Sequence, residues 1–500
     1  MYPNPLTADD AGEYVVIEFP TAKTGNWTLS DGETTVSLSR VNLAGPCALT
    51  AELGVTANRT EYPVATLPTA LELSNGGETL TLRHKRNVLD TVTYENAPPS
   101  ERWERTDVGW TWEPLGATNR PVVSVGPVPV TTFLLPDAPN ATLDAIQTAD
   151  SRILLAGYTF SSSRVADALV AANDSGIAVR ILLDCDPVGG MTTQQAATLD
   201  RLTAAGISVK LVGGPRARYS FHHAKYAVVD DRAIVLTENW KPAGVGGNAS
   251  RGWGVVVANA TLADELAATF RADAEWRDTT AWERARSTRE FVSIPPANGS
   301  YPRRFRPQSL SAESVELLVT PDNAEPRLVE HLDAAEESIL VEQVTIGGRD
   351  HALLEATLRA AHRGVSVRIL LSGAWYAREE NEALATALND RARREGLPLE
   401  VRVAEPRGRF EKIHAKGIIV DGDTVVLGSL NWNDHALREN REVVVVLHGD
   451  AIGDYFTSVF DADCRGGSWW VSMGVLGAVA LSALAAGVVG KKVRFVVSRG

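Results

Sequence analysis

Residues His414 to Trp432 read HAKGIIVDGDTVVLGSLNW. The spacing is His414-x-Lys416, four residues, Asp421, six residues, then Gly428-Ser429-x-Asn431. On a strand, residues two apart share a face, so His414 and Lys416 point the same way. Asp421-Gly422 suits a tight turn, and the returning strand would deliver Ser429 and Asn431 to the same mouth. A second copy starts at His223, HAKYAVVDDRAIVLTENW, with Lys225, Asp230 and then Asn239 one residue earlier than its counterpart. With nine His and nine Lys in the chain, one such HxKx4D string should arise by chance on the order of once in a hundred sequences. Two at matched places call for a functional reading.

Working outward, the strings lie in an internal repeat. Pro136-Asp137 matches Pro321-Asp322, Ile153 matches Ile339, and GIAVRILLD from Gly176 matches GVSVRILLS from Gly364, with offsets of 185, 186 and 188. Apolar β-branched runs alternate with helical stretches such as VADALVAAND and HALLEATLRAAHRG, which predicts two α/β lobes with buried, mostly parallel sheets. The Pro-, Ser- and Arg-rich stretch 286–312 reads as a linker, with Arg303, Arg304 and Arg306 solvated.

Doubling the unit brings two His and two Lys together. That suits phosphoryl chemistry: one imidazole attacks phosphorus, the other protonates the leaving oxygen, and Lys and Asn neutralise the developing charge. The residues resemble the phospholipase D superfamily, marked by a duplicated HxKx4Dx6GSxN motif, over roughly residues 131–465. The resemblance implies a two-lobed α/β fold, a phosphohistidine intermediate and phosphodiester cleavage or transfer with no metal. His414, Lys416, Asp421, Gly428, Ser429 and Asn431 match that motif fully, and Glu442 falls where the family often has an acid that orients a histidine. The first copy departs from it. Thr237 and Glu238 stand where Gly-Ser is expected, and Gly254 takes the place of Glu442. The expected catalytic set is therefore His223, Lys225, His414, Lys416, Asn239, Asn431, Ser429 and Glu442, without an assignment of the nucleophile. Asp230, Asp421 and Gly428 are expected to be structural. His222 is expected in the core or on the surface, His435 in an exposed loop, and Trp240 and Trp432 in packing roles.

Residues 1–118 read as short strands with Asn-Gly-Gly and Asp-Gly turns, which predicts an all-β, immunoglobulin-like sandwich. GEYVVIEF, GNWTLSDG and NGGETLTLRH…VLDTVTY resemble the lamin-tail family, whose modules are usually accessory. At the other end, Trp469 to Gly490 runs 22 residues without a charge, long enough as a helix for a bilayer core of about 30 Å. It is expected to be a transmembrane helix, with residues 491–500 as a cytoplasmic tail because Lys491, Lys492 and Arg494 follow it. The architecture expected is thus multidomain: the sandwich, lobes at 131–285 and 313–465, and a single-pass anchor at 469–490. Seven N-x-S/T sequons favour an exported catalytic region, whereas MYPNPLTADD has no signal-peptide pattern.

The chain is 500 residues with a net charge of −13, 44% hydrophobic and 22% charged, which excludes disorder and a globally basic nucleic-acid glove. Three scattered cysteines, Cys47, Cys185 and Cys464, write neither a disulfide framework nor a zinc site. No cofactor and no metal are expected. Three functions fit these observations: a membrane-anchored phosphodiesterase or phosphatidyl transferase acting on phospholipid, an extracellular nuclease of the same superfamily, or a catalytically degenerate surface-binding protein.

Overall fold

Both copies of the repeat fold around a mixed sheet, and the two sheets follow the same strand order. The computed structural model describes all residues except 6–9, 23, 68–70, 107–108, 215, 349–350 and 466–500. In the first lobe Arg152–Gly157 pairs in parallel with Ala178–Asp184, which pairs in parallel with Ser208–Val212. In the second, Ser338–Gln343, Ser366–Leu371 and Leu399–Val403 repeat this. These runs are nearly all apolar, with Ile153, Leu155, Ile181 and Leu183 buried in the first lobe and Ile339, Val341, Ile369 and Leu371 in the second. Helices such as Ser163–Asp174 and Ala352–Arg363 cover them. Ser162 starts the first of these helices by accepting a bond from the Val165 N–H.

The sheets are not mostly parallel, as the sequence pattern suggested. The strands that carry the motifs, Tyr226–Val229 with Arg232–Leu236 and Gly417–Val420 with Thr424–Gly428, are antiparallel hairpins. Ser250–Ala258 and Val443–His448 extend them antiparallel as well. A two- or three-residue turn permits no other geometry. Stretch 286–312 is more than a solvated linker: Gln308–Ala312 adds a strand beside Val128–Leu135, and the Arg304 and Phe305 N–H groups donate to Asp137.

The N-terminal region is built of strands. A three-stranded sheet (Val15–Phe19, Gly45–Thr50, Val64–Thr66), a four-stranded sheet (Thr35–Ser37, Trp27–Ser30, Gly77–His84, Asn87–Glu95) and a hairpin (Glu101–Thr106, Gly109–Pro114) make it up. They enclose one core that includes Phe19, Leu29, Leu49, Leu80 and Tyr94, and one short helix, Leu53–Arg59, interrupts them. Thr118 and Arg120 tie the end of this region to Asp322 of the second lobe.

One expectation is corrected. Among the described residues no helix is long and apolar enough to cross a membrane, and the stretch 469–490 lies outside them. The longest described helix, Arg378–Glu395, has 18 residues but carries charge along its length, and Asp450–Arg465 has 16 with one face in the core. Both are amphipathic helices of a globular protein. This finding points against the expected transmembrane element and single-pass membrane localisation.

Candidate active site

The two motif hairpins meet at the interface between the lobes through matching contacts. The His223 N–H donates to Arg441 O at 2.9 Å, and the His414 N–H donates to Arg251 O at 2.9 Å. Each histidine strand is therefore stitched to the opposite lobe. Behind each hairpin the motif aspartate accepts backbone N–H bonds: Asp230 from Asp150, Ser151 and Arg152, and Asp421 from Glu336, Glu337 and Ser338, at 2.7–2.9 Å. Both aspartates sit at positive φ, +53° and +51°. They close the turns at the far end of the hairpins from the histidines.

The imidazoles face carboxylates that come from opposite lobes. His223 Nδ1 lies 2.9 Å from both oxygens of Glu442. His414 Nδ1 lies 3.1 Å from the Thr237 carbonyl and 3.3 Å from Glu238 Oε2. Because Glu442 accepts, His223 Nδ1 carries the proton and its Nε2 is left free for chemistry, whereas His414 Nδ1 also has the Lys416 ammonium at 3.3 Å. Lys225 and Lys416 donate to the carbonyls of their own histidines, and Tyr158 sets its edge against the His223 ring at 4.7 Å.

Burial governs the protonation states here. It pushes His223 down to about 4, with Glu442 opposing and Lys225 assisting. It also pushes His414 well below the usual range, and Lys416, Lys225 and Lys241 push the same way. Lys416 falls to about 8 by burial, partly offset by Glu238 and Glu442. The two carboxyls part company. Burial lifts Glu238 to about 8 against the pull of four lysines, while at Glu442 burial is outweighed by His223 and Lys225, and the group stays below its ordinary value.

Of the residues expected at the site, His223, Lys225, His414, Lys416 and Glu442 converge at this interface, with Ser429 beside Glu442. Asn239 is buried and its Oδ1 has no hydrogen-bond partner among the described residues, whereas Asn431 is half-buried. The Ser429 hydroxyl accepts from the Val443 N–H at 3.0 Å, and the Thr237 hydroxyl accepts from the Trp253 N–H at 2.9 Å. Thr237, not Glu238, is thus the partner of Ser429 in the repeat. The missing residue lies in the turn, which has two residues in the first lobe (Asp230, Asp231) and three in the second (Asp421, Gly422, Asp423). The same register places Gly252, not Gly254, opposite Glu442, since Leu135 pairs with Gly252 and the Thr320 N–H bonds Glu442 O. At Gly428 a Cβ would stand 2.2 Å from Val443 O, so glycine is required there.

The weaker candidates lie elsewhere. His222 is buried with Nε2 3.5 Å from Asp273, His435 is exposed and pairs with Glu439, and Trp240 packs with its N–H on Ala156 O. Sequence reasoning missed Tyr158, the role of Glu238, and two buried arginines. Arg251 pairs with Asp137 and Asp463, and Arg441 pairs with Asp322 and Asp273. A signal was present: the arginines are 190 residues apart and their partners Asp137 and Asp322 belong to the matched Pro-Asp pairs.

Two repeated lobes that each bring a His and a Lys to one interface define the class, and comparison with known proteins agrees. Residues 142–274 and 328–464 match the family described as cardiolipin synthase, phospholipase D-like domain. The match covers more than half of the chain, and the chain belongs to that family, within the phospholipase D superfamily. A phosphatidylserine synthase from Haemophilus influenzae Rd KW20 is similar in fold, with a TM-score of 0.50 at 13% identity over 68% of this chain and 88% of that one. Nuc, a phospholipase D family member from Salmonella typhimurium, aligns over 31% of this chain and 97% of its own at 23% identity, with a TM-score of 0.28. Among curated proteins none matches in sequence. The general chemistry is that of a phosphodiester-acting enzyme. The family match lies within the two lobes and lends no support to the lamin-tail resemblance of the N-terminal region.

Proposed function

We propose that the protein is a phospholipid phosphodiesterase or phosphatidyl transferase working through a phosphohistidine on His223. The observation that carries this reading is the pair of imidazoles from opposite lobes, each with a carboxylate at Nδ1 and a lysine two residues on. Glu442, held ionised, accepts from His223 Nδ1 and raises the electron density at Nε2. His223 Nε2 attacks phosphorus, the bond to the leaving oxygen breaks, and that oxygen takes a proton from His414. Lys225, Lys416, Asn239 and Asn431 balance the charge on the non-bridging oxygens. In the second half, His414 takes the proton from water or an alcohol, whose oxygen attacks phosphorus and frees His223. A lipid substrate is supported by the family description and by the fold shared with a phosphatidylserine synthase.

The test incubates the full chain, in EDTA, with phosphatidylglycerol–phosphatidylcholine vesicles and with plasmid DNA in parallel. Headgroup release that disappears in His223→Ala and His414→Ala is expected. Nicking lost in the same variants, without headgroup release, would move the substrate to nucleic acid. Silence on both would overturn the reading.

A further inference from the structure

We propose that Glu238 is the positioning residue for His414, its carboxylate having moved to the neighbouring strand end from the place that Glu442 occupies in the other lobe. The inference rests on the two-histidine reading above and explains why the first motif looks broken.

The register makes Gly252 the counterpart of Glu442, and Glu238 the counterpart of Leu430. In the second lobe the acid stands on the outer strand and an apolar residue on the inner one. In the first lobe the inner position carries the acid and the outer position carries nothing. The two positions share one volume, because a Cβ on Gly252 would lie 2.2 Å from Glu238 Cγ and 2.7 Å from its Oε1. Only one of them can hold a long side chain. The neighbouring pair is exchanged in the same sense: Gly428 faces Val444 in the second lobe, and Leu236 faces Gly254 in the first. A Cβ on Gly254 would lie 2.4 Å from Phe133 and 3.0 Å from Leu236. At this neighbouring pair the large and the small residue have traded strands, while the Glu238 carboxylate still reaches the imidazole of the opposite lobe, at 3.3 Å. Glu238 is 2% exposed, and its second oxygen has no hydrogen-bond partner among the described residues. A buried carboxylate with one contact on an imidazole and lysines around it is costly to keep unless that contact is used.

The exchange also gives the two pairs different work. Glu442, with both oxygens on His223, serves a nucleophile that must stay unprotonated at Nε2. Glu238 and His414 together hold the proton that the leaving oxygen needs.

The experiment moves the acid back. Glu238→Ala, Glu238→Gln, Gly252→Glu and the double variant Glu238→Ala/Gly252→Glu are compared with the full-length wild type in two readouts. One is turnover of bis(p-nitrophenyl) phosphate from pH 5 to 9. The other is imidazole nitrogen NMR of His414, which does not need turnover. Glu238→Ala is expected to lower kcat by about 10- to 100-fold with little change in KM. Gly252→Glu alone should be no better, since two carboxylates then compete for one volume. The double variant should recover most of the loss and return the His414 Nδ1 signal toward wild type. Glu238→Gln keeps the shape, so it should fold where the double variant does not, and it should displace the pH optimum of kcat. An unchanged pH profile and an unchanged His414 signal in Glu238→Gln would overturn the proposal, as would a folded double variant no better than Glu238→Ala. A wild type that turns over nothing while the His414 signal shifts as described would sink the phosphodiesterase reading and leave the pair supported.

Discussion

The second lobe carries the motif intact and the first carries it with a residue missing and a carboxylate where a hydroxyl is expected, yet the two sites are built alike. His223 and His414 are both stitched to the opposite lobe, both face a carboxylate at Nδ1, and both have a lysine behind them. The comparison teaches that the site is specified by what stands next to the imidazole in space. A one-residue shorter turn changes the count along the chain without changing the pairing of the strands, because register is set by which residues face the core.

The largest effects should come from the histidines. His223→Ala is expected to abolish turnover and the acid-labile labelling of the enzyme by a phosphodiester. His414→Ala should cost about 10²- to 10⁴-fold and spare the first half-reaction when the leaving group is a good one, such as p-nitrophenol, read as a burst in stopped flow. Equal loss of the burst in both variants would break the assignment of roles. Glu442→Gln should follow, at about 10²- to 10⁴-fold in kcat, since a neutral amide no longer stabilises the working tautomer of His223.

The buried arginines test the symmetry at the level of stability. Arg441→Ala removes the buried guanidinium shared by Asp273 and Asp322, and Arg251→Ala removes the one shared by Asp137 and Asp463, of which Asp463 keeps Arg409. Each should cost about 3–5 kcal/mol in urea unfolding. A loss in only one of the two would mean that the lobes are held together unequally.

The carboxyls separate the lobes again by pH. Glu238 has a folded value raised to about 8 from an ordinary 4.5, so its contribution is full below the ordinary value and is lost as pH rises toward 8. Glu442 has a lowered folded value, so its contribution is present above the ordinary value and is lost as pH falls through the folded one. Unfolding midpoints from pH 4 to 9 should therefore show Glu238→Gln gaining on wild type as pH rises, and Glu442→Gln gaining on it as pH falls. Parallel curves would contradict the difference between the pairs. The smallest effect is expected at Tyr158, whose hydroxyl accepts from the Val188 N–H at 2.5 Å. Tyr158→Phe should cost about 0.5–1.5 kcal/mol, while the second lobe has Val344 at the equivalent place and no such bond to lose.

Much of the site was legible in the chain. His, Lys, Asp and Asn lie within one hairpin, where strand periodicity and a tight turn determine which side chains converge. Glu442 was legible because it closes an intact copy. Glu238 was not, since counting from Asp230 across a turn one residue short put it in the column of Ser429, and only the bond between Thr237 and the Trp253 N–H shows the true register. The mostly parallel sheet was misread for a related reason: apolar β-branched runs report burial on both faces and not strand direction.

The sequence by itself determined the duplication, the two-lobed α/β class, the four basic residues of the cleft and the strand-rich character of residues 1–118, because these follow from local periodicity and from repetition along the chain. Only the tertiary structure decided which carboxylate serves which histidine, that each pair is assembled from both lobes, and that Arg251 and Arg441 are buried counterparts. Such contacts join residues more than 170 positions apart, His414 with Glu238 and His223 with Glu442, and they depend on strand register and on one shared volume that neither copy of the motif encodes alone.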